Sequence, residues 1–332
     1  MTRAIFLFAV TSSLAACGGG GGTDAGPRVD APTGQDGGGY PFPDLPALEG
    51  FDAVSSSGGT SYRAATLDIG CVGAATQPAA GSPIAATFEA LEFRDRTPYP
   101  GNLQVWFFND NIVRGTCDPP MCQLLSLDPD TGRAPVMTLA GGWYAYSILA
   151  ASGATPGTTV FSFVQANETA ATTANAVLEG RWVSALTANV LTAAGGFMRE
   201  EGTAVIAGAV LDCRGDDARL AGSIIRFFSP DGSELFNSPR QQDLQLRYFA
   251  QSGTTSSPSE DALHTSENGL FMVAQVPPAD GAYRIEAWGR ASAGGPIELL
   301  GCEEVGTRAD GIAVVNIGPL RSDGPASCSA SR

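Results

Sequence analysis

The stretch from Glu267 to Gly289 reads ENGLFMVAQVPPADGAYRIEAWG, and the fold class turns on it. Leu270 to Val276 is an apolar run entered through Asn268-Gly269 and left through Pro277-Pro278. Such dipeptides mark turns, so the run is short enough for a strand and too short for an ordinary helix. After Gly281-Ala282 the chain alternates: Tyr283, Ile285 and Ala287 fall on one side, Arg284 and Glu286 on the other. That is the period of a strand with one wet face, which argues for antiparallel sheets. The whole stretch predicts a hairpin.

The same order of features occurs earlier. TGRAPVMTLAGGWYAYSI (131–148) again has a polar Gly turn, an apolar strand, a Gly turn and an aromatic strand. Upstream of each, IAATFEALEFRDRTPYPGNLQVWFF (84–108) parallels AVIAGAVLDCRGDDARLAGSIIRFF (204–228). Each is an apolar strand, a polar turn with Arg and Asp, then a strand ending Phe-Phe. In 103–107, Leu103, Val105 and Phe107 share a face with Gln104 opposite. A repeat of this length predicts two related modules, 58–167 and 197–325, in an all-β fold of antiparallel, immunoglobulin-like sandwiches. Between them, in TTANAVLEGRWVSALTANVLTAAGG (172–196), Leu178, Trp182, Leu186 and Val190 recur every four residues. That stripe predicts a connecting helix within 168–196, capped by Thr172 or Thr173 and ended by Gly195-Gly196, with Trp182 docking it.

The N-terminus carries an address. Arg3 precedes the apolar run AIFLFAV (4–10), and LAAC follows at Leu14, Ala15, Ala16 and Cys17. A charged start, a short apolar core and small residues before a cleavage point are the layout of a secretory signal. From Gly18 to about Pro46 the chain is Gly, Asp, Pro and Thr with few apolar residues. It predicts a flexible tether (17–57 with the lipid-bearing cysteine) reaching about 30 Å.

Composition narrows the function class. The 332 residues carry a formal net charge of −15, which repels nucleic-acid phosphates and anionic head groups, so no nucleic-acid partner is expected. All nineteen basic residues are arginine, which excludes Schiff-base and lysine phosphate-cradle chemistry. Beyond Cys17 six cysteines remain: Cys71, Cys117, Cys122, Cys213, Cys302 and Cys328. An even number in an exported chain reads as disulfides, with fifteen connectivities open. Cys117 and Cys122 flank Asp-Pro-Pro-Met and can close a local loop; Cys213 with Cys302 is the second candidate, since both lie in one module.

Catalytic signatures are sparse. The one histidine, His264, sits in SPSEDALHTSENG (257–269) with Ser257, Ser259, Asp261 and Ser266 close in sequence. A hydrolase triad needs these held in space with an oxyanion hole, which proximity along the chain does not supply. Asp128-Pro129-Asp130-Thr131-Gly132 begins like a calcium loop, but Arg133, Ala134 and Pro135 do not continue the ligand series. The acids Asp212, Asp216 and Asp217 are discounted on the same ground. Trp106, Trp143, Tyr144, Tyr146 and Trp288 could stack on sugars; in strands of this composition they belong to the core. No cofactor, metal or catalytic residue is expected.

Two resemblances sharpen this reading. Leu14-Ala15-Ala16-Cys17 resembles the lipobox of bacterial lipoproteins. It implies cleavage before Cys17 and a diacylglyceryl thioether on its sulfur, and several acyl chains make a durable anchor. The absence of Asp after Cys17 points by analogy to outer-membrane sorting. Residues 202–320 resemble a carboxypeptidase regulatory-like domain, a transthyretin-like sandwich. The likeness rests on GTAVIAGAVLDC (202–213), LAGSIIRFF (220–228) and the 267–289 stretch. The first copy is a weaker relative, lacking Phe after Gly132 and carrying a Cys-bearing insertion around 114–124. The resemblance implies a non-enzymatic structural or binding role. The expected protein is a lipid-anchored cell-envelope component whose partners are the membrane and envelope proteins or polysaccharide. The rival readings are a carbohydrate-binding surface protein and an envelope hydrolase or its accessory.

Overall fold

Successive side chains along a strand point to opposite faces, and in the middle of this molecule both sets are apolar. The computed structural model describes residues 44–331, apart from 57–58, 114, 154–158, 195–199, 216, 236–244, 254, 260 and 280. Its first strands are Glu49–Ser56 (β1), Gly59–Ala65 (β2), Pro83–Glu92 (β3), Leu103–Phe108 (β4), Cys122–Leu127 (β5) and Arg133–Leu139 (β6). Trp143–Ile148 (β7), Val160–Phe161 (β8), Phe163–Thr169 (β9) and Val177–Ser184 (β10) follow, then a helix, Ala185–Ala194 (α1). The second half holds Ala204–Ala209 (β11), Ala218–Ala221 (β12), Ile224–Phe228 (β13), Gln245–Ser252 (β14) and Thr255–Ser259 (β15). It closes with Leu270–Val276 (β16), Tyr283–Gly289 (β17), Glu298–Val305 (β18) and Ile312–Val314 (β19). The protein is mostly β.

A nine-stranded sheet of order β15-β14-β16-β11-β19-β9-β7-β4-β5 runs through both halves. Phe107, Phe163, Val205, Met272 and Ile312 enter one core on one of its faces. Their chain neighbours Phe108, Val164, Ile206, Phe271 and Ala313 enter a second core. The four-stranded sheet β6-β3-β10-β8 supplies Phe88, Val136 and Leu178 to the first. The three-stranded sheet β13-β17-β18 supplies Phe227, Ile285 and Leu300 to the second. Each buried Phe, Leu or Ile contributes about 1.5–3 kcal/mol, so two cores sharing one sheet tie the halves strongly.

The sequence repeat reappears as a repeat of pairings. β3 pairs antiparallel with β6, as β11 does with β16. β4 pairs antiparallel with β7, as β13 does with β17. β7 pairs antiparallel with β9, as β17 does with β18. Finally β10 runs parallel to β3, as β19 does to β11. The copies are not separate bodies joined by a helix: the sheet holding β4, β7 and β9 continues, through β9–β19, into the sheet holding β11 and β16.

Four sequence expectations are corrected here. The 267–289 stretch forms two strands, but β16 and β17 lie in different sheets, so the connection is an arch and not a hairpin. Pro277 and Pro278 cannot donate to a ladder, which suits a crossing between layers. The segment 168–196 is helical only at Ala185–Ala194; its first half is β10. Leu178 and Trp182 stand four apart, and four is also a whole number of strand repeats, so the stripe fits either period. Gly180 decides it: a Cβ there would lie 2.3 Å from Phe88 Cζ on the facing strand. Ser184, in place of Thr172 or Thr173, caps the helix by accepting the Thr187 N–H at 3.1 Å. Gly195-Gly196 lie outside the described residues. The sheets are mixed and not purely antiparallel, because β10 runs parallel to β3 and β19 runs parallel to both β11 and β9. On β17 Glu286 is buried and not wet; Arg284 pairs with it at 3.0 Å and Trp288 Nε1 donates to it at 2.9 Å.

The tether boundary at 57 is also overturned. Leu45 and Leu48 are buried, and β1 pairs with β2 and with β12 of the second half. A polar, small-residue strand such as EGFDAVSS carries too little apolar pattern to be read in advance. Residues 45–77 lie along the second half: Leu48 N donates to Arg290 O, Gly73 N to Leu320 O, and both oxygens of Asp323 accept Gln77 N.

At Gly208 of β11 a Cβ would stand 1.8 Å from the Val315 carbonyl oxygen, whereas at Gly318 it would meet nothing within 4 Å. Gly208→Ala is therefore expected to lose about 2–3 kcal/mol in urea unfolding, with Gly318→Ala within about 0.5 kcal/mol of the parent. Equal effects would contradict the β11–β19 approach.

Candidate functional site

All six described cysteines are paired: Cys71–Cys213, Cys117–Cys122 and Cys302–Cys328. The local Cys117–Cys122 loop is as expected. The Cys213–Cys302 pairing is replaced, because β11 to β13 face residues 66–75 while β18 faces the C-terminal turn at Ala326–Ser331. Leu14, Ala15, Ala16 and Cys17 lie outside the described residues.

A cleft of about 830 Å³ opens where the two halves meet. Its walls come from β7, β9 and β10 on one side and from residues 211–219 and 303–321 on the other. Charges line it, but they are held by one another. Arg181 Nη2 pairs with Glu179 at 2.9 Å, Arg321 with Glu303 at 3.3 Å, and Asp212 with Arg214 at 2.7 Å. Tyr146 Oη accepts the Arg181 N–H at 2.8 Å. Burial raises the Tyr146 phenol well above its ordinary pKa, with Glu168 and then Glu179 adding to it. The cleft thus sets ion-paired charges into a largely apolar wall.

The aromatic candidates divide. Tyr144 and Tyr146 are core residues, Tyr144 stacked on Phe107 at 5.2 Å and Tyr146 edge-on to Phe88 at 4.9 Å. The three tryptophans are half-buried, and each carries an arginine over its ring. Arg308 lies 4.4 Å above Trp106, Arg321 lies 4.1 Å above Trp143, and Arg226 lies 5.8 Å above Trp288. A guanidinium stacked on an indole occupies the face that a sugar would use. Trp182, expected to dock a helix, sits on β10, buried edge-on to Tyr99 at 5.3 Å with Nε1 donating to Thr97 O. Sequence reasoning missed the arginines entirely. No spacing links Arg308, in the link from β18 to β19, to Trp106 on β4; only the folded chain brings them together.

The remaining candidates are not assembled. His264 Nδ1 lies 3.0 Å from the Thr265 carbonyl oxygen, and Ser266 Oγ donates to Phe249 O and so is turned to a different group. The Asp128 carboxylate accepts Asp130 N, Thr131 N and Thr131 Oγ1 at 2.8–3.0 Å, an Asx turn. Those hydrogen bonds, led by the Thr131 hydroxyl, lower the Asp128 pKa. Asp212 accepts the Arg214 N–H, and Asp216 lies outside the described residues. Among the described residues no group of three or more His, Cys, Asp or Glu is placed to hold a metal, and no helix is long and apolar enough to cross a membrane.

No family model matches this sequence, and no curated protein matches it. Among solved structures, the chain is similar to the Bacillus anthracis TIE protein at 13% identity, over 72% of this chain and 34% of that one, with a TM-score of 0.21. It therefore spans about a third of that protein's length. A streptococcal ancillary pilin gives 13% identity over 72% of this chain and 69% of that chain, TM-score 0.21. A variant of the shaft pilin SpaA from Lactobacillus rhamnosus GG gives 10% identity over 74% and 98%, TM-score 0.21. These are β-rich pilin-type proteins, and at such scores nothing of their roles carries over.

The buried phenol gives a pH prediction. A pKa raised in the folded state means that the folded chain keeps its proton longer than the unfolded one. That stability is full below the unfolded value near pH ~10 and is lost as pH climbs toward the raised folded value. Tyr146→Phe should cost about 1–2 kcal/mol at neutral pH, through the lost Arg181 N–H acceptor, and should flatten the alkaline decline. Urea unfolding at neutral pH and above about pH 10 measures both; an unchanged alkaline slope would count against it.

Proposed function

We propose that this chain is a lipid-anchored cell-envelope protein with a structural or binding role and no catalysis of its own. Leu14-Ala15-Ala16-Cys17, after a charged and then apolar start, is the observation that carries the reading. The three disulfides support export, since such bonds persist in oxidising compartments. In this reading Cys17 bears the lipid and the outer membrane is the destination. The recurring strand pairings support two transthyretin-like sandwiches of the carboxypeptidase regulatory-like kind, fused edge to edge. The arginines stacked on Trp106, Trp143 and Trp288 weigh against a sugar-binding aromatic platform. His264 Nδ1 against the Thr265 carbonyl, with Ser266 Oγ donating to Phe249 O, weighs against a hydrolase built on that pair.

Detergent phase separation tests the anchor. The parent chain expressed in a lipoprotein-processing bacterium should enter the detergent phase, and Cys17→Ser should move it to the aqueous phase. A parent chain recovered in the aqueous phase with a free thiol at Cys17 would contradict the proposal.

The disulfides make a separate prediction. Chain entropy ranks them by the loop each closes, and the separations are 142, 26 and 5 residues. Replacing each pair by serine should cost about 5, 3.5 and 2 kcal/mol respectively. Chemical unfolding of the three double variants would show the order, and the reverse order would be incompatible with Cys71–Cys213 as the long-range tie.

A further inference from the structure

The three disulfides differ in what surrounds their sulfurs. Cys302 and Cys328 are 3% and 1% exposed and sit in a small apolar cluster with Leu299 and Leu320. Cys122 is 2% exposed, and Cys117 packs against the second core. Cys71 and Cys213 are both half-buried, and both line the cleft at the seam of the two halves. A small thiolate therefore reaches this bond through the cleft, whereas each of the other two has at least one cysteine closed off. Exchange also needs a leaving sulfur that carries the departing charge well. Here the two ends of the bond differ: the Cys71 N–H donates to Cys213 Sγ at 3.1 Å. That hydrogen bond strengthens when the sulfur becomes a thiolate, so Cys213 is the better leaving group and Cys71 the point of attack. Cys122 Sγ has the opposite surroundings, with the Gln123 carbonyl oxygen 3.8 Å away, which disfavours a thiolate there. Its partner is also only five residues distant, so an opened Cys117–Cys122 pair recloses readily.

Neighbouring backbone contacts hold the two cysteines together whether or not the bond is made. Cys213 N donates to Asp68 O at 2.9 Å, Gly73 N to Leu320 O at 2.7 Å, and Gln77 N to Asp323 Oδ2 at 2.9 Å. Ala75, Thr76 and Pro78, just beyond Cys71, line the same cleft, so the bond sets how firmly that wall is fixed. We propose that Cys71–Cys213 is a reversible exchange site for small thiols, set in the wall of the seam cleft. The incoming thiolate attacks Cys71 Sγ, a mixed disulfide forms there, and the Cys71–Cys213 bond breaks with its electron pair leaving on Cys213 Sγ. A second thiolate then attacks the reagent sulfur of the mixed disulfide and releases Cys71. The two reagent thiols end as a disulfide, oxidised by two electrons, and their protons pass to Cys71 and Cys213. The site goes beyond the envelope role and is measured on purified protein, so its failure and that of the anchor are read separately.

Timed exposure of the oxidised full-length chain to dithiothreitol, quenched with N-ethylmaleimide and read by peptide mass mapping, tests this. Cys71 and Cys213 should be labelled about tenfold or more sooner than Cys302 and Cys328, and before Cys117 and Cys122. At short times with glutathione in place of the dithiol, the glutathione adduct should lie on Cys71 and the maleimide on Cys213. Removing the thiol and adding oxidised glutathione should restore the Cys71–Cys213 pair. Opening of Cys302–Cys328 or Cys117–Cys122 first would overturn the assignment. So would simultaneous labelling of all six cysteines, the mark of unfolding before exchange. The adduct on Cys213 with the maleimide on Cys71, or re-oxidation to a different pairing, would overturn it as well.

Discussion

Three residues, Ile312, Ala313 and Val314, pair on both sides at once. On one side they run parallel to Val205–Ala207, on the other to Phe163–Gln165. Every larger feature depends on that seating. It makes one sheet of two sets of strands, and alternation then sends Ile312 to one core and Ala313 to the other. Because the two copies join through non-equivalent sheets, the covering sheets fall on opposite faces. The seam cleft exists because the joint does. Residues 45–77 reinforce it by returning across the second half and locking there through Cys71–Cys213.

Arginine does a second kind of structural work. The basic residues are all guanidinium-bearing, and several half-buried ones lie over rings or pair with carboxylates. Arg284 covers Phe228 at 3.9 Å while pairing with Glu286, and Arg321 covers Trp143 while pairing with Glu303. A lysine offers a point charge and no planar face, so it would lose both contacts. Buried ion pairs add little net stability when complete, but breaking one leaves an uncompensated charge. These pairs therefore fix side-chain placement around the cores. Among the described residues Arg308 stacks on a ring with no carboxylate paired to it.

Much of the strand pattern was legible because period-two burial is a local property. Leu103, Val105 and Phe107 declared their face, and the repeated turns declared the repeat. What failed was non-local or degenerate. Leu178 and Trp182 satisfy two periods, and only Phe88 on another strand removes the ambiguity. Whether β16 and β17 pair or cross between layers depends on which sheet receives each. Glu286 reads as exposed until Arg284 and Trp288 close over it. β1 is polar because its small three-stranded sheet buries few of its side chains. For the candidate sites, Cys117–Cys122 was readable from its spacing. Cys71–Cys213 and the arginine–tryptophan pairs join segments 62 to 202 positions apart and have no local signature.

If the β9–β19 joint makes the halves one body, they must melt together. Differential scanning calorimetry of the oxidised chain decides this. A single transition whose van't Hoff enthalpy equals the calorimetric enthalpy is the result the shared sheet requires. Two resolved transitions, one for each half, would contradict it.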